Sequence, residues 1–341
     1  MTQDASRRDF FRTTLGSAVL ATLAQNALAQ HDSPNGLPTR KLGGTNEQVS
    51  ILCLGGWHIG AVANKDRGEA IHIMHKAIDE GMTFFDNAWD YHDGGAEDVM
   101  GEALASSGRR NKVFLMTKNC ETDYEGSRRN LEESLRRLRT DRLDLWQFHE
   151  MNYDNDPDWV LDKGGLKYAL EAQKAGKVRF IGFTGHKDPR IHLKMLGKPY
   201  KWSSSQMPIN IMDAHYRSFQ KEVIPVCLEK NVGVIGMKSL GGSPGGPAGR
   251  IPSETNVTAE ECIRYALSLP VSTLCVGIGS MKDLNQSISI GRGFKPLADD
   301  TKERLLAMTK YEGGDGRHEL FKSSQRFDGS HHRKLHNFAL T

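Results

Sequence analysis

The sequence predicts an α/β chain closed into one (β/α)8 TIM barrel, and three observations predict it. Between residues 49 and 290, short apolar runs rich in Val, Ile, Leu and Phe alternate with polar stretches whose apolar residues recur three or four apart. There are eight such runs, and eight parallel strands close a sheet on itself. The runs are apolar on both faces, as strands are when helices cover them. An open nucleotide-binding sheet would carry G-x-G-x-x-G after its first strand, where this chain has "LGGWHIG".

The elements follow in order. "SRRDFFR" (6–12) precedes a mildly apolar run, 13–29, that ends in Ala27-Leu28-Ala29. A charged start, a short greasy middle and an A-x-A end describe an export signal, and Arg7-Arg8 marks the twin-arginine route for folded cargo. The run is short of the roughly 20 residues of a spanning helix and contains Gly16, Gln25 and Asn26, so residues 1–29 are expected as a cleaved signal, not a permanent span. This expectation places the mature protein in the periplasm or otherwise outside the cytoplasm, with the twin-arginine machinery as a partner.

Residues 30–38, with Pro34 and Pro38, suit a linker, and "TRKLGGTNEQVS" (39–50) reads as a hairpin capping the barrel floor. Strands are expected at 49–55, 82–86, 113–118, 143–149, 178–184, 203–207, 232–238 and 272–279. Helices are expected at 67–80, 97–106, 127–138, 166–175, 219–230, 259–268 and 282–288, with Gly81 and Gly176 as stop signals. The barrel thus spans 39–311 and a tail 312–341 lies beyond it. The Gly- and Pro-rich loop 241–250 follows the seventh strand, on the catalytic face of such a barrel.

Composition narrows the function. The formal charge of +3 becomes +2 without residues 1–29, and basic residues are spread out except near the C-terminus, which argues against nucleic acid as partner. The five cysteines form no C-x-x-C pair and are odd in number, against a disulfide framework or a cysteine metal site.

Polar residues collect where strands end: Asp86, Lys118, His149, Thr184, Gln206 and Lys238. In a closed barrel those ends share one mouth. A charged lysine held by an aspartate favours the phenolate of a nearby tyrosine, here Tyr91, and a histidine across the pocket can donate to a carbonyl oxygen. With no H-E-x-x-H, and with the one G-x-S-x-G match (241–245) inside the Gly- and Pro-rich loop rather than at a tight strand-to-helix turn, this apparatus moves a proton on an oxygen while something else attacks the carbon. Hydride fits that role, and hydride requires a nicotinamide cofactor.

These residues resemble the aldo/keto reductase family. "FFDNAWDYHDGGAEDVMGEAL" is similar to its Asp-x4-Tyr segment, "LMTKN" to its lysine strand, "LDLWQFH" to its histidine strand and "GKVRFIGFTGH" to its fifth-strand signature, and the likeness runs from about Arg40 to Ile290. The resemblance implies Tyr91 as general acid, Lys118 and Asp86 tuning it, and His149 orienting the carbonyl of an aldehyde, ketone or sugar. It implies NADP or NAD across the mouth, with Thr184 and Gln206 at the nicotinamide amide. Gly56, Trp57, Asp86, His186, Met237, Lys238, Leu240, Gly279, Ser280 and Lys282 complete the expected cofactor contacts, and Trp57 and Trp89 wall the substrate pocket.

The chain departs from the family pattern at Thr184-Gly185-His186, where Ser-Asn is usual, and at Met237, where a tyrosine often stacks on the nicotinamide. Ser280 and Lys282 remain to meet a 2′-phosphate, which leaves a slight preference for NADP. A folded export route is needed if the cofactor is loaded before export, so a tightly held dinucleotide is expected. Two alternatives stay open: an internal redox cycle on a sugar, and a dinucleotide-holding regulatory subunit with little turnover. No metal is expected. His332 and His336 are four apart, but Asp328-Gly329 argues for turns and the neighbours are basic, so 318–338 reads as a cover over the barrel or a mobile tail.

Overall fold

The computed structural model describes residues 18–31, 36–105, 108–242 and 249–340. The twin-arginine stretch and residues 243–248 of the Gly-Pro loop lie outside the described residues. Residues 18–28 are helical, and no described helix is long and apolar enough to cross a membrane.

Strands β1 (Thr39–Lys41) and β2 (Gln48–Ser50) form the expected antiparallel hairpin. The barrel is β3 (Leu52–Gly55), β4 (Phe84–Asp86), β5 (Phe114–Asn119), β6 (Leu143–Phe148), β7 (Val178–Thr184), β8 (Ser204–Pro208), β9 (Gly233–Met237) and β10 (Thr273–Val276). Each pairs in parallel with the next, and β10 closes on β3 through Leu274 opposite Leu52 and Val276 opposite Leu54.

The period of two explains why most of the strands read as apolar on both faces, β8 (SSQMP) being the polar exception. Cys53, Phe84, Met116, Leu145 and Ile235 point inward with Leu42 and Val49 of the hairpin. Their neighbours Leu52, Leu54, Phe85, Leu115 and Trp146 belong to the outer layer against the helices. The hairpin sits on the floor: Gly44 N–H donates to the Asn231 carbonyl (2.9 Å) just ahead of β9. The buried Arg40 guanidinium donates to the carbonyls of Val271 and Leu267, both at 2.9 Å.

The expected helices form within a few residues of their predicted bounds, for instance Arg67–Asp79 and Tyr124–Arg137, capped by Asp66 and Asp123. Further helices add to them, among them Gly56–Ala63, Asp156–Asp162, Pro189–Leu196 and Asp299–Gly313. Pro189 follows its N-cap Asp188, a start signal the eight-residue helix carried in the sequence. Beyond Gly313, the short helices Leu320–Ser323 and Ser330–Leu335 lie across the mouth, which is where the cover reading of the tail placed them.

Candidate active site

The site begins with adjacent strand ends. Asp86 closes β4 and Lys118 lies near the end of β5, so pairing of these strands sets the two side chains together as a buried ion pair. The Lys118 ammonium also donates to the Asn87 carbonyl (2.7 Å) and to the Tyr91 hydroxyl (3.3 Å), and it lies 4.8 Å from the centre of the Tyr91 ring. Tyr91 starts a tight turn in which His92, Asp93 and Gly94 all have positive φ, and this turn brings the phenol back over the lysine. Trp57 meets the Tyr91 ring edge-on with centroids 5.4 Å apart.

The expectation that Lys118 lowers the Tyr91 phenol is corrected here. Burial, followed by the carboxylates of Asp86 and Asp90, pushes it well above its ordinary value. Tyr91 is therefore a proton donor at neutral pH rather than a standing phenolate. Lys118 N–H is placed to receive the negative charge as the proton leaves, and the Asp86 ion pair keeps that lysine in position.

His149 follows β6 directly and its backbone N–H donates to the Asn119 carbonyl (2.8 Å), which carries the ring to the Tyr91 side with centroids 5.8 Å apart. Its Nδ1 is 3.5 Å from Cys120 Sγ and 3.6 Å from Asp90 Oδ1, and its Nε2 is 3.8 Å from Glu150 Oε1. Burial opposes ionisation of Asp90, yet the interaction with His149, 3.6 Å away, holds its carboxyl at about 2. Burial pushes Glu150 up. Asp90, Cys120 and Glu150 are site residues that the sequence reading missed. Their signal was adjacency, since Asp90 and Glu150 flank Tyr91 and His149.

The cofactor side is less uniform. Gln206, on β8, donates from Nε2 to Asp86 Oδ2 (3.2 Å), while its Oε1 is buried with no hydrogen-bond partner among the described residues. An orphaned amide oxygen beside Asp86 fits the carboxamide of a nicotinamide, and Thr184 pairs with Gln206 across β7 and β8. Gly56 is required by close approach, because a Cβ there would stand 2.5 Å from the Asp86 carbonyl oxygen. Lys238, past Met237 at the end of β9, has its ammonium between the rings of Phe321 and Phe327, 5.5 and 5.4 Å from their centroids. Burial lowers its pKa, and among the described residues no carboxylate pairs with it. Gly279 N–H and Ser280 Oγ donate to Asp283 (3.1 and 2.9 Å) at the start of helix Met281–Arg292, with Lys282 exposed beside them.

Two expected contacts face elsewhere. His186 receives backbone support from Asn152 (2.9 Å) and lies 3.4 Å from Asp328 of the tail, with burial lowering it to about 3. Trp89 Nε1–H donates to Glu133 (2.7 Å), and its ring meets His331 of the tail at 5.2 Å. The tail is the common factor. Asp328 also binds Lys187 (2.9 Å) and Tyr153 (2.6 Å), Gly329 N–H donates to Glu150 (3.0 Å), and Lys322 bridges Glu319 and Asp213 in a fully buried cluster. Leu240, just before Gly241, packs against the cluster that contains Ile251 and Leu305.

A closed eight-stranded barrel with Asp, Tyr, Lys and His at one mouth defines a class of hydride-transferring oxidoreductase. Comparison with known proteins agrees: the model of the "Aldo/keto reductase family" matches residues 51–246. An uncharacterized oxidoreductase of Bacillus subtilis, YrpG, is 30% identical over 73% of this chain and 81% of its own length. The chain belongs to the aldo/keto reductase family and is an NAD(P)-dependent oxidoreductase. Among solved structures, an aldo-keto reductase from Bacillus halodurans in holo form superposes with a TM-score of 0.66 at 24% identity, covering 79% of this chain and 95% of that one. One from Klebsiella pneumoniae in complex with NADPH gives 0.65 at 22%, over 79% and 94%. These likenesses bear on the fold.

Proposed function

We propose that this chain reduces a small aldehyde, ketone or sugar carbonyl with NADPH, outside the cytoplasm, and releases its dinucleotide slowly. The nicotinamide supplies hydride when bound. The chain's own residues do the rest. Tyr91 donates its proton to the carbonyl oxygen, Lys118 stabilises the phenolate left behind, and Asp86 holds Lys118. His149 orients the carbonyl from across the mouth, with Asp90 and Cys120 fixing its ring. Trp57 walls the pocket beside Tyr91.

The observation that carries this reading is the convergence of Tyr91 and Lys118 on one point beside Asp86 and the orphaned oxygen of Gln206. Ser280 and Lys282 are the groups that favour NADP over NAD, while Asp283 already takes the donors of Gly279 and Ser280, so the preference is small. Slow release is supported by the tail across the mouth. Export rests on Arg7-Arg8 and the A-x-A end of the leader, and a cofactor loaded before export accounts for the choice of a folded route.

The test is release of whatever the mature protein carries after purification from a cell that exports it, by denaturation and mass spectrometry. One equivalent of NADP supports slow release and loading before export. A protein that arrives empty and exchanges NADPH freely overturns that part and leaves carbonyl reduction standing.

A further inference from the structure

The tail is joined to the barrel by a feature that no hydride chemistry requires. His332 and His336 lie four apart at the end of the chain, in and just after the helix Ser330–Leu335. Asp156, 176 residues before His332, starts the helix Asp156–Asp162 and stands directly between them. His332 Nε2 is 3.2 Å from Asp156 Oδ2 and His336 Nε2 is 2.6 Å from Asp156 Oδ1. All three side chains are buried, 1–6% exposed, and their donor atoms lie within 4.8 Å of one another.

We propose that Asp156, His332 and His336 form a site for a divalent transition-metal ion, zinc being the best match, that fastens the C-terminal tail across the barrel mouth. Two imidazoles and one carboxylate are the donor set that such ions prefer over magnesium or calcium. Around a tetrahedral ion with bonds of about 2.0–2.2 Å, donors stand about 3.4 Å apart, so the present spacing needs only small side-chain rotations. Water takes the remaining position.

The surroundings are arranged as they are around metal-binding histidines. Glu150 Oε2 lies 3.5 Å from Nδ1 of His332, the ring nitrogen turned away from Asp156, which is buried without a hydrogen-bond partner among the described residues; a carboxylate on that side is where an orienting acceptor stands at metal-binding histidines. Trp159 and Phe338 stack on His336 with centroids 4.6 and 5.2 Å away, and Tyr153 stacks on His332 at 5.7 Å, so the rings are fixed. Asp156 accepts from the backbone N–H groups of Asn152 and Tyr153, both at 2.8 Å, and cannot swing aside.

The neighbouring charges are accounted for. Asp328 is taken by Lys187, His186 and Tyr153, and His331 by Glu121 (3.0 Å). Lys163 lies over the Trp159 ring and Arg333 faces Gln325. Asp156 faces both imidazoles, while Glu150 is shared among His332 (3.5 Å), His149 (3.8 Å) and the Gly329 N–H (3.0 Å).

The proposal stands independently of the hydride reading. The test uses the full mature chain without a polyhistidine tag, stripped with a chelator and titrated with Zn2+ by calorimetry and with Co2+ by visible absorption. The expected result is one equivalent bound, with affinity at least about 30-fold weaker in His336→Asn and in Asp156→Asn, and unchanged in His72→Asn, an exposed histidine on another helix. Asp156→Asn keeps an oxygen for the backbone donors. If it nonetheless fails to fold, His336→Asn and the Co2+ spectrum of the parent carry the decision. Absence of a strong cobalt ligand-field band, or binding by His336→Asn equal to the parent, overturns the site.

Discussion

The two sides of the barrel mouth are built on different terms. On the β4–β6 side, Asp86, Lys118 and His149 stand on or next to paired strands, and Tyr91 is returned to them by one tight turn, so the groups that would move a proton are held by the sheet itself. On the β7–β9 side, His186 and Lys187 are met by Asp328, and Lys238 by Phe321 and Phe327, all from the last thirty residues of the chain. Chemistry therefore rests on rigid scaffold while access rests on a segment held by side-chain contacts. Under the proposed function, changes to the first should cost catalysis. The second can be loosened while the reaction survives.

The largest effect falls on the rigid side. Lys118→Met removes the donor that stabilises the phenolate, and kcat/KM for carbonyl reduction should fall by about 10³-fold while dinucleotide affinity stays within about twofold. Single-turnover kinetics with a separate binding titration would check both. A loss confined to binding would move Lys118 to the cofactor side of the comparison.

A smaller effect is expected on the tail. Burial opposes ionisation of Asp328, but His186, Tyr153 and Lys187 hold its carboxyl at about 2, below the roughly 3.9 of an unfolded chain. The sign follows. Its contribution to stability is complete above about pH 5 and is lost as pH falls through about 2. Asp328→Asn should cost about 2–3 kcal/mol near neutral pH, with the difference from the parent shrinking in acid, and should speed dinucleotide exchange with kcat for a fast substrate unchanged. Melting temperatures across pH and stopped-flow exchange would measure these. An unchanged exchange rate would separate the tail from cofactor access.

What could be read from the sequence divides along the same line. Strand order, barrel closure and the four catalytic types were legible because each depends on local patterns: apolar runs of period two, a polar residue where each run ends, and the tight spacing of Asp86 and Tyr91. Burial inverted the expected direction at Tyr91, since a sequence names the charges near a phenol but not the solvent it loses. His186 could not be placed, because its partner Asp328 is 142 residues away and nothing local announces the pair. A longer separation, 176 residues, hid Asp156 from the His332 and His336 pair, whose neighbours Asp328-Gly329 argued for turns. The helix Pro189–Leu196 is a different case: Asp188-Pro189 is a legible start signal, but eight residues carry only about two turns of apolar period.

The smallest effect concerns cofactor choice. Asp283 claims Gly279 N–H and Ser280 Oγ, the donors closest to a 2′-phosphate in the proposed mode. Asp283→Asn should raise the preference for NADPH over NADH by about fivefold, the scale of one partly exposed charge. Ratios of kcat/KM for the two cofactors would show it, and a shift toward NADH would place the 2′-position elsewhere.

The central claim is that Tyr91 protonates a carbonyl as hydride arrives, and its most direct test is a single-turnover transfer from 4-deuterated NADPH to 4-nitrobenzaldehyde. The account predicts deuterium on the former carbonyl carbon with the parent protein, and in Tyr91→Phe a rate lower by about 10²–10⁴-fold with dinucleotide still bound. Transfer by Tyr91→Phe at the parent rate, or a parent product without deuterium on that carbon, would contradict it.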